Sequence, residues 1–255
     1  LGRFQVKAIE FPHGMADTGE NTTEVELVYA GQEVEITETS ASFYNQRQKV
    51  LVTLNKVLEQ DETFGIGMNG EITAVTFGLY AQEDITAADG SIIPADGLLE
   101  IVSVDENGQA MCKTDLPFGS FYLKELSTDS HYLPSGETFP FTFEYGGPSV
   151  AVVEINANDG EAISNELIRG EIRGMKTDEN GTGLSGAVIG LFKSDETEFT
   201  AENALATATS AEDGSFSFAG VPYGNWVLKE LESPEGFILS DEVIPVTVEE
   251  DGQVV

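Results

Sequence analysis

The sequence predicts an all-β protein built from tandem β-sandwich modules. Short runs rich in β-branched and aromatic residues occur along the chain, for example at 50–54, 139–143 and 243–248, and glycine, asparagine and aspartate separate them. The second observation is an internal repeat, because residues 117–150 align with residues 222–255 at a constant offset of 105. No long stretch shows the 3.6-residue period of a helix. Short strands with frequent turn residues are typical of sandwiches.

The repeat divides the chain into three modules. We interpret residues 1–45 as the C-terminal part of a first module, 46–168 as a complete middle module, and 169–255 as a last module lacking its last strand. Because the alignment ends at Val150 and Val255, we expect the last module to stop before the counterpart of residues 151–156. The junctions are short, so a stiff tandem rod is favoured over domains on flexible linkers.

Turn residues mark the ends of several predicted strands. Clusters of acidic residues followed by glycine, or by asparagine and glycine, occur at 105–108, 178–181 and 212–214. Such sequences adopt the backbone conformations of tight turns. We therefore expect these three segments to close β-hairpins.

A glutamate ends the same strand in two modules. Residues 121–125 read Phe-Tyr-Leu-Lys-Glu, and their counterparts at 226–230 read Trp-Val-Leu-Lys-Glu. Since strand side chains alternate between two faces, Glu125 shares a face with Phe121 and Leu123, which aims its carboxylate at the core. A buried carboxylate needs a partner or a proton. The alternative is a frayed strand end that leaves the Glu125 carboxylate in water. A glutamate recurs at the same position of the repeat, as Glu230, and this recurrence favours burial.

Composition narrows the classes of partner. The chain has 45 acidic and 12 basic residues, for a net charge of −33, which repels nucleic acid and anionic lipid. We therefore expect no nucleic-acid partner, no membrane contact within these residues, and a monomer. With 40% hydrophobic residues the chain is not a disordered acidic tail. The single cysteine, Cys112, excludes an intramolecular disulfide and is interpreted as a small core residue.

The sequence shows no conventional catalytic or metal-binding motif. His13 and His131 have no cysteine or histidine partners at metal-ligand spacing, and residues 178–181 lack the spacing of a calcium loop. No nucleophile elbow, phosphate-binding loop or histidine-based triad is visible. We expect no metal, no cofactor and no turnover enzyme.

The last module contains several motifs in a fixed order. They are an early strand lysine before a turn, the runs 184–187, 214–218 and 221–224, the glutamate strand 226–230, and the segment 233–237. This ordered combination resembles the B-type domain of collagen adhesin, also called the prealbumin-like or pilin-type domain of Gram-positive surface proteins, and the likeness extends over one full and two partial modules. The resemblance implies a prealbumin/immunoglobulin-like β-sandwich for each module.

The resemblance implies a covalent crosslink in the middle module. Many modules of the family join a first-strand lysine to a last-strand asparagine in a spontaneous isopeptide bond, assisted by a glutamate. Transferred to the matching positions of this sequence, the family pattern predicts a bond between Lys56 and Asn165, with Glu125 as proton shuttle. Taken alone, Lys56 could equally be a solvated strand lysine and Asn165 a turn or strand-edge residue.

The other two modules depart from this pattern. In the first module the glutamate position is occupied by Ala8, and only the candidate acceptor Asn45 is present. In the last module Lys176 and Glu230 are present without an acceptor. We therefore expect Asn45, Lys176 and Glu230 to be unlinked counterparts of the middle-module residues.

The chemistry of an isopeptide bond needs these residue types. A lysine is nucleophilic only when neutral, and burial beside Leu54, Phe121 and Leu123 can lower its pKa. We expect a protonated Glu125 to hydrogen-bond the carbonyl of Asn165 and to pass a proton to the departing ammonia. Holding the amine and the amide in contact supplies the effective molarity for a single turnover.

The leading functional hypothesis is structural. The resemblance implies an extracellular stalk of a cell-wall-attached surface protein or adhesin, which meets a host or matrix protein through other domains. A ligand-binding adhesin region is the first alternative, and it would need an exposed apolar or aromatic groove. An accessory domain of a secreted enzyme is the second.

Overall fold

The protein is an assembly of β-sheets, as the sequence predicts. The computed structural model describes residues 1–17, 19–32, 38–87 and 89–255. Within these residues the only helices are two short 3₁₀ segments, Glu71–Ala74 and Ala157–Gly160. The all-β prediction is therefore confirmed, and the predicted strands at 50–54, 139–143 and 243–248 all lie within strands of the structure.

The first module contributes small two-stranded sheets. Its strands, with the first strand of the junction, are β1 (Gly2–Lys7), β2 (Met15–Ala16), β3 (Thr22–Leu27) and β4 (Gln46–Arg47). β1 pairs antiparallel with β3, and β2 pairs antiparallel with β4. Every residue of β1 is exposed, so this pair does not enclose a core of its own.

The middle module is a sandwich of two four-stranded sheets. One sheet has the order β10-β5-β13, with β14 also paired to β5, and the other has the order β12-β11-β6-β9. The strands of these sheets are β5 (Lys49–Leu58), β6 (Thr76–Ala81), β9 (Leu98–Ser103), β10 (Gln109–Met111), β11 (Gly119–Ser127), β12 (Thr138–Phe143), β13 (Val152–Asn156) and β14 (Ile163–Asn165). A separate antiparallel pair consists of β7 (Ile85–Thr86) and β8 (Ile92–Ile93).

Alternation along the strands builds the core between these sheets. Val52 and Leu54 of β5 face Phe121 and Leu123 of β11, and all four are buried in one hydrophobic cluster. Cys112 lies in the same cluster, which agrees with its interpretation as a small core residue. The next inward-facing position on each strand is polar: Lys56 on β5 and Glu125 on β11.

β5 is the central strand of its sheet and pairs in both senses. It runs antiparallel to β10 and parallel to β13 and β14, with Val152 beside Lys49 and Ile163 beside Lys56. The last strand of the module therefore lies directly alongside the end of its first strand.

The last module repeats this design. Its strands form two sheets, β15-β18 and β17-β16-β19-β20, around a core that includes Ile172, Leu191, Trp226 and Val248. The strands are β15 (Arg169–Met175), β16 (Val188–Lys193), β17 (Ala206–Thr209), β18 (Ser215–Pro222), β19 (Gly224–Glu232) and β20 (Val243–Val248).

Two expectations from the sequence need correction. Val254 forms a parallel bridge with Glu171, as β13 does with β5, so the counterpart of β13 begins before residue 255. The turn after β20 is shorter than the turn after β12, and aligning the two modules at a constant offset of 105 hides this difference in length.

The predicted hairpins are the second correction. The segments 105–108 and 212–214 do not close hairpins, because each connects strands of different sheets. Only 178–181 does so locally, through a bridge between Thr177 and Gly183.

The middle and last modules touch through polar and aromatic contacts. The Arg169 guanidinium lies 3.0 Å from the Glu59 carboxylate and 2.9 Å from that of Asp61. The Phe64 ring, on the loop after β5, meets the Trp226 ring edge-on at 5.0 Å between centroids. Phe64 thus packs against the core of the neighbouring module.

The described part of the chain contains no helix long and apolar enough to cross a membrane.

Candidate crosslink site

Lys56 lies on the inward face of β5, two residues beyond Leu54. It is 2% exposed, and its side chain has no exposed surface at all. The same alternation that buries Val52 and Leu54 therefore carries a charged residue into the sandwich. A solvated strand lysine does not describe this geometry.

Glu125 reaches the same point from the opposite sheet. It follows Phe121 and Leu123 on the inward face of β11 and is 5% exposed. The backbone N–H of Ser135 donates to its Oε1 at 3.1 Å. Its Oε2 is buried and accepts no hydrogen bond. The nearest donor to this oxygen is the Lys56 ammonium, 3.4 Å away.

Asn165 completes the site from β14, the strand beside Lys56. It is 2% exposed and points inward, like Ile163 two residues earlier. Because β14 runs parallel to β5 with Ile163 beside Lys56, the asparagine side chain lies just past the lysine. Two neighbouring strands of one sheet and one strand of the other thus converge.

The three side chains are in direct contact. The Lys56 Nζ lies 2.5 Å from the Asn165 Oδ1 and 3.4 Å from the Glu125 Oε2. The Asn165 Nδ2 donates to the Glu125 Oε1 at 2.8 Å. The Glu125 carboxylate therefore faces the amine with one oxygen and the amide nitrogen with the other.

One detail differs from the sequence-based expectation. We expected Glu125 to meet the carbonyl of Asn165, but it meets the amide nitrogen, and the carbonyl oxygen faces Lys56 instead. The physical reason is that a carboxylate only accepts hydrogen bonds while an ammonium only donates them. The carboxamide turns so that its NH₂ faces the acceptor and its oxygen faces the donor.

Burial changes the acidity of the lysine. Removal from water lowers the pKa of the Lys56 ammonium, and the Glu125 carboxylate offsets this effect only in part. A lower pKa increases the fraction of neutral amine at a given pH, and the neutral amine is the nucleophile.

The last module contains the same lysine and glutamate without an asparagine. The Lys176 Nζ lies 3.0 Å from the Glu230 Oε1, and Ser240 N–H donates to the Glu230 Oε2 at 2.8 Å. Ser240 corresponds to Ser135 of the middle module at the offset of 105. The Lys176 side chain is 21% exposed, so it is less enclosed than that of Lys56.

The first module holds no comparable arrangement among its described residues. Asn45 is half-buried just before β4, and Ala8, at the glutamate position, is half-buried just after β1. The methyl group of Ala8 has neither the charge nor the reach to contact an amine.

The sequence did not reveal one further contact of the site. The Thr128 Oγ1 accepts a second hydrogen bond from the Asn165 Nδ2 at 3.0 Å. Thr128 follows the last residue of β11, three positions after Glu125, and is half-buried. A threonine in such a loop carries no pattern that would distinguish it from a surface residue.

The described residues offer no cluster of metal-ligating side chains. Among the described residues, no group of three or more histidine, cysteine, aspartate or glutamate side chains is placed to hold a metal ion.

A known protein family matches the last module of the chain. Residues 170–255 match the family model of the SpaA prealbumin-like fold domain. The comparison with curated proteins gave no match.

Solved structures extend the likeness to the whole chain. The Bacillus anthracis TIE protein superposes with a TM-score of 0.68 at 20% identity, over 100% of this chain and 40% of that chain. The chain thus spans less than half of that structure. A C-terminal fragment of the pilus adhesin SpaC from Lactobacillus rhamnosus GG matches with a TM-score of 0.47 at 14% identity, over 81% of this chain and 84% of that one.

A streptococcal ancillary pilin matches with a TM-score of 0.32 at 20% identity, over 99% of this chain and 73% of that chain. The first of these structures and the family model show the fold. The chain is an all-β protein with the prealbumin-like fold, and its residues 170–255 are similar to the SpaA prealbumin-like fold domain.

Proposed function

We propose that the chain is part of the stalk of a cell-wall-anchored surface protein or adhesin, and that its middle module is crosslinked by a self-formed isopeptide bond between Lys56 and Asn165. The observation that carries the proposal is the buried contact of Lys56, Glu125 and Asn165 between the two sheets. The proposal implies an extracellular location and binding of a host or matrix protein through other domains.

Proton transfer opens the proposed reaction. The Lys56 ammonium gives a proton to the Glu125 Oε2, the carboxylate oxygen that accepts no hydrogen bond. This leaves a neutral amine beside a neutral carboxylic acid. Burial favours the neutral amine, because an apolar surrounding penalises its charged form.

Acyl transfer follows from the contact geometry. The Lys56 Nζ attacks the Cγ of Asn165, and a C–N bond forms as the carbonyl electrons move to the Oδ1. Glu125 then turns its protonated oxygen toward the amide nitrogen, with which its other oxygen is already hydrogen-bonded, and passes the proton to that nitrogen. The Cγ–Nδ2 bond breaks, ammonia departs, and the attacking nitrogen returns its extra proton to Glu125. One amide has been exchanged for another, so no cofactor or energy source is needed.

Pre-organisation makes an unreactive amide available to attack. Groups held in contact by a fold can reach effective molarities of about 10⁵ M or more, which replaces the activation that a cofactor would supply. A shallow cleft lined by Ser135, Phe139, Ile163 and Asn165 offers the ammonia a route to solvent. The module reacts once and is then inert, so it is not an enzyme in the turnover sense.

The position of the bond suits a load-bearing stalk. Tension enters the middle module at the start of β5 and leaves it just after β14, and these two strands carry the bonded residues. A covalent link there passes the load from Lys56 to Asn165, which are 109 positions apart, and bypasses the residues between them. The two sheets then stay folded under tension.

Single-molecule stretching of the whole chain tests this function. With the bond in place, the segment between Lys56 and Asn165 should never extend. In a Glu125→Gln variant, which keeps the side-chain shape but cannot shuttle a proton, unfolding should release about 36 nm more, from 109 residues at about 3.3 Å each. The last module unfolds in both proteins and serves as the internal reference. Release of this segment in the wild-type chain would overturn the proposal.

A further inference from the structure

The carboxamide nitrogen of Asn165 is held by two acceptors from the same strand end. One of its hydrogens goes to the Glu125 Oε1 and the other to the Thr128 Oγ1, at 2.8 and 3.0 Å. An NH₂ group has two hydrogens, so its donor capacity is fully used. On the other side of the carboxamide, the Oδ1 faces the Lys56 Nζ.

These contacts fix the rotation of the carboxamide about its Cβ–Cγ bond. Glu125 alone holds one corner of the planar group, and the plane could still tilt around that single hydrogen bond. Thr128 adds a second point on the same nitrogen. Together with the amine at the oxygen, the group is held at three points, and its Cγ is presented to the Lys56 Nζ.

We propose that Thr128 is a positioning residue for the crosslinking reaction. By accepting the second N–H of Asn165, it keeps the leaving nitrogen against Glu125 and the carbonyl toward the attacking amine. In the opposite rotamer the NH₂ would face the ammonium of Lys56, donor against donor, and the carbonyl oxygen would face a carboxylate. This inference rests on the proposed function, because it assigns a role within the same reaction.

The last module provides a matched site without the reaction. The residue at the offset of 105 from Thr128 is Ser233, whose Oγ donates to the carbonyl oxygen of Phe237 at 3.0 Å. The Ser233 hydroxyl thus makes its hydrogen bond within its own loop. A substitution there perturbs the same kind of loop without touching a carboxamide.

The expected effect is on rate. Thr128→Val keeps the branched shape of the side chain and removes the hydroxyl, so the carboxamide loses one of its two anchors. Loss of a typical hydrogen bond should slow the reaction by about tenfold. Thr128→Ser restores the hydroxyl and should react at close to the wild-type rate.

The experiment follows crosslinking from the moment of synthesis. The full chain is made by cell-free translation, samples are quenched in acid at intervals, and the uncrosslinked fraction is read from intact mass. Thr128→Val should convert about tenfold more slowly, whereas Thr128→Ser and the Ser233→Ala control should follow the wild type. Far-ultraviolet circular dichroism checks that each chain is folded, and Thr128→Ala replaces Thr128→Val if the latter is not.

The outcomes separate the two claims. If the wild-type chain never loses mass, the proposed function fails whatever Thr128 does. If the wild type converts and a folded Thr128→Val or Thr128→Ala chain converts equally fast, the crosslink stands and the positioning role is refuted. A Thr128→Ser chain as slow as Thr128→Val would also refute it, because the hydroxyl would then not be the group that matters.

Discussion

Lys56 and Glu125 form a buried ion pair whose placement is costly before any reaction. Desolvation of two charges costs several kcal/mol per ion, and their attraction repays this only when the remaining polar atoms are satisfied. Here the Glu125 Oε2 accepts no hydrogen bond. In the proposed reaction the lysine becomes a neutral amide and Glu125 ends protonated, so both charges are removed. The desolvation cost of the unlinked pair therefore favours the crosslinked product.

The lowered lysine pKa leads to a pH-dependent stability in an uncrosslinked chain. Burial lowers the folded-state pKa of Lys56, while the unfolded chain keeps a value near 10.4. Between the two values the unfolded state binds more protons, so the free energy of unfolding should rise with pH in this window. We expect this slope in Glu125→Gln, where the opposing carboxylate is also absent. Denaturant unfolding at a series of pH values measures it.

The control for this slope removes the lysine charge. A Glu125→Gln/Lys56→Met chain has no titrating amine at the site, so its free energy of unfolding should rise less with pH over the same range than that of Glu125→Gln. An equal slope in the two chains would assign the effect to other groups and would contradict the lowered pKa of Lys56.

At the scale of residues, the resemblance was informative where chemistry restricts residue type. Lys56, Glu125 and Asn165 were predicted from motif positions, and the structure brings all three into contact. Thr128 and the rotation of the Asn165 carboxamide were not predictable. Both depend on which groups meet across the two sheets, and that information is absent from the local sequence.

At the scale of elements, the strands were easier to predict than their partners. Alternation and β-branched residues located β5, β12 and β20, because strand formation has local signals. The parallel pairing of β5 with β13 and β14 involves residues about a hundred positions apart and leaves no local signal. Turn residues at 105–108 likewise mark a reversal of the chain without specifying whether it stays in one sheet.

The crosslink should make the middle module harder to degrade than the last. Closing a covalent loop of this size should stabilise the fold by about 4 to 5 kcal/mol, by analogy with a disulfide. We therefore expect protease to cut the last module well before the middle one, as followed by mass spectrometry of the fragments.

A Lys56→Ala chain provides the comparison for this prediction. Without the bond, the middle module should be cut at a rate much closer to that of the last module. If the two modules of the wild-type chain have equal protease lifetimes, or if Lys56→Ala leaves the middle module equally resistant, the stabilising role of the bond is contradicted.

At the scale of the whole molecule, the two junctions between modules share several contacts. At the first, Gln48 N–H donates to the Gly14 carbonyl, and at the second Tyr223 N–H donates to the Ile168 carbonyl. The His13 ring packs against Phe118, and the His131 ring packs against Tyr223 at 5.6 Å. Phe118 and Tyr223 occupy the same place in the repeat.

An arginine reinforces the second junction. Arg169 donates to the carbonyl of Gly220 in its own module and bridges Glu59 and Asp61 of the middle module. Arg47 instead contacts Leu116 and Asp115 within the middle module. Short connections with such contacts are what the sequence-based expectation of a stiff rod requires. The sequence predicted the short connections, but not the side chains that hold them, since an isolated arginine or histidine has no pattern.

The intact mass of the purified wild-type chain tests the central claim most directly. If Lys56 and Asn165 condense, the chain loses one ammonia, so its mass should lie about 17 Da below the value calculated from the sequence. We expect a single loss, because the first module has Ala8 in place of the glutamate and the last module offers no acceptor to Lys176. Glu125→Gln should show no loss, while Glu230→Gln should lose ammonia like the wild type. A wild-type chain at its full calculated mass would contradict the crosslink.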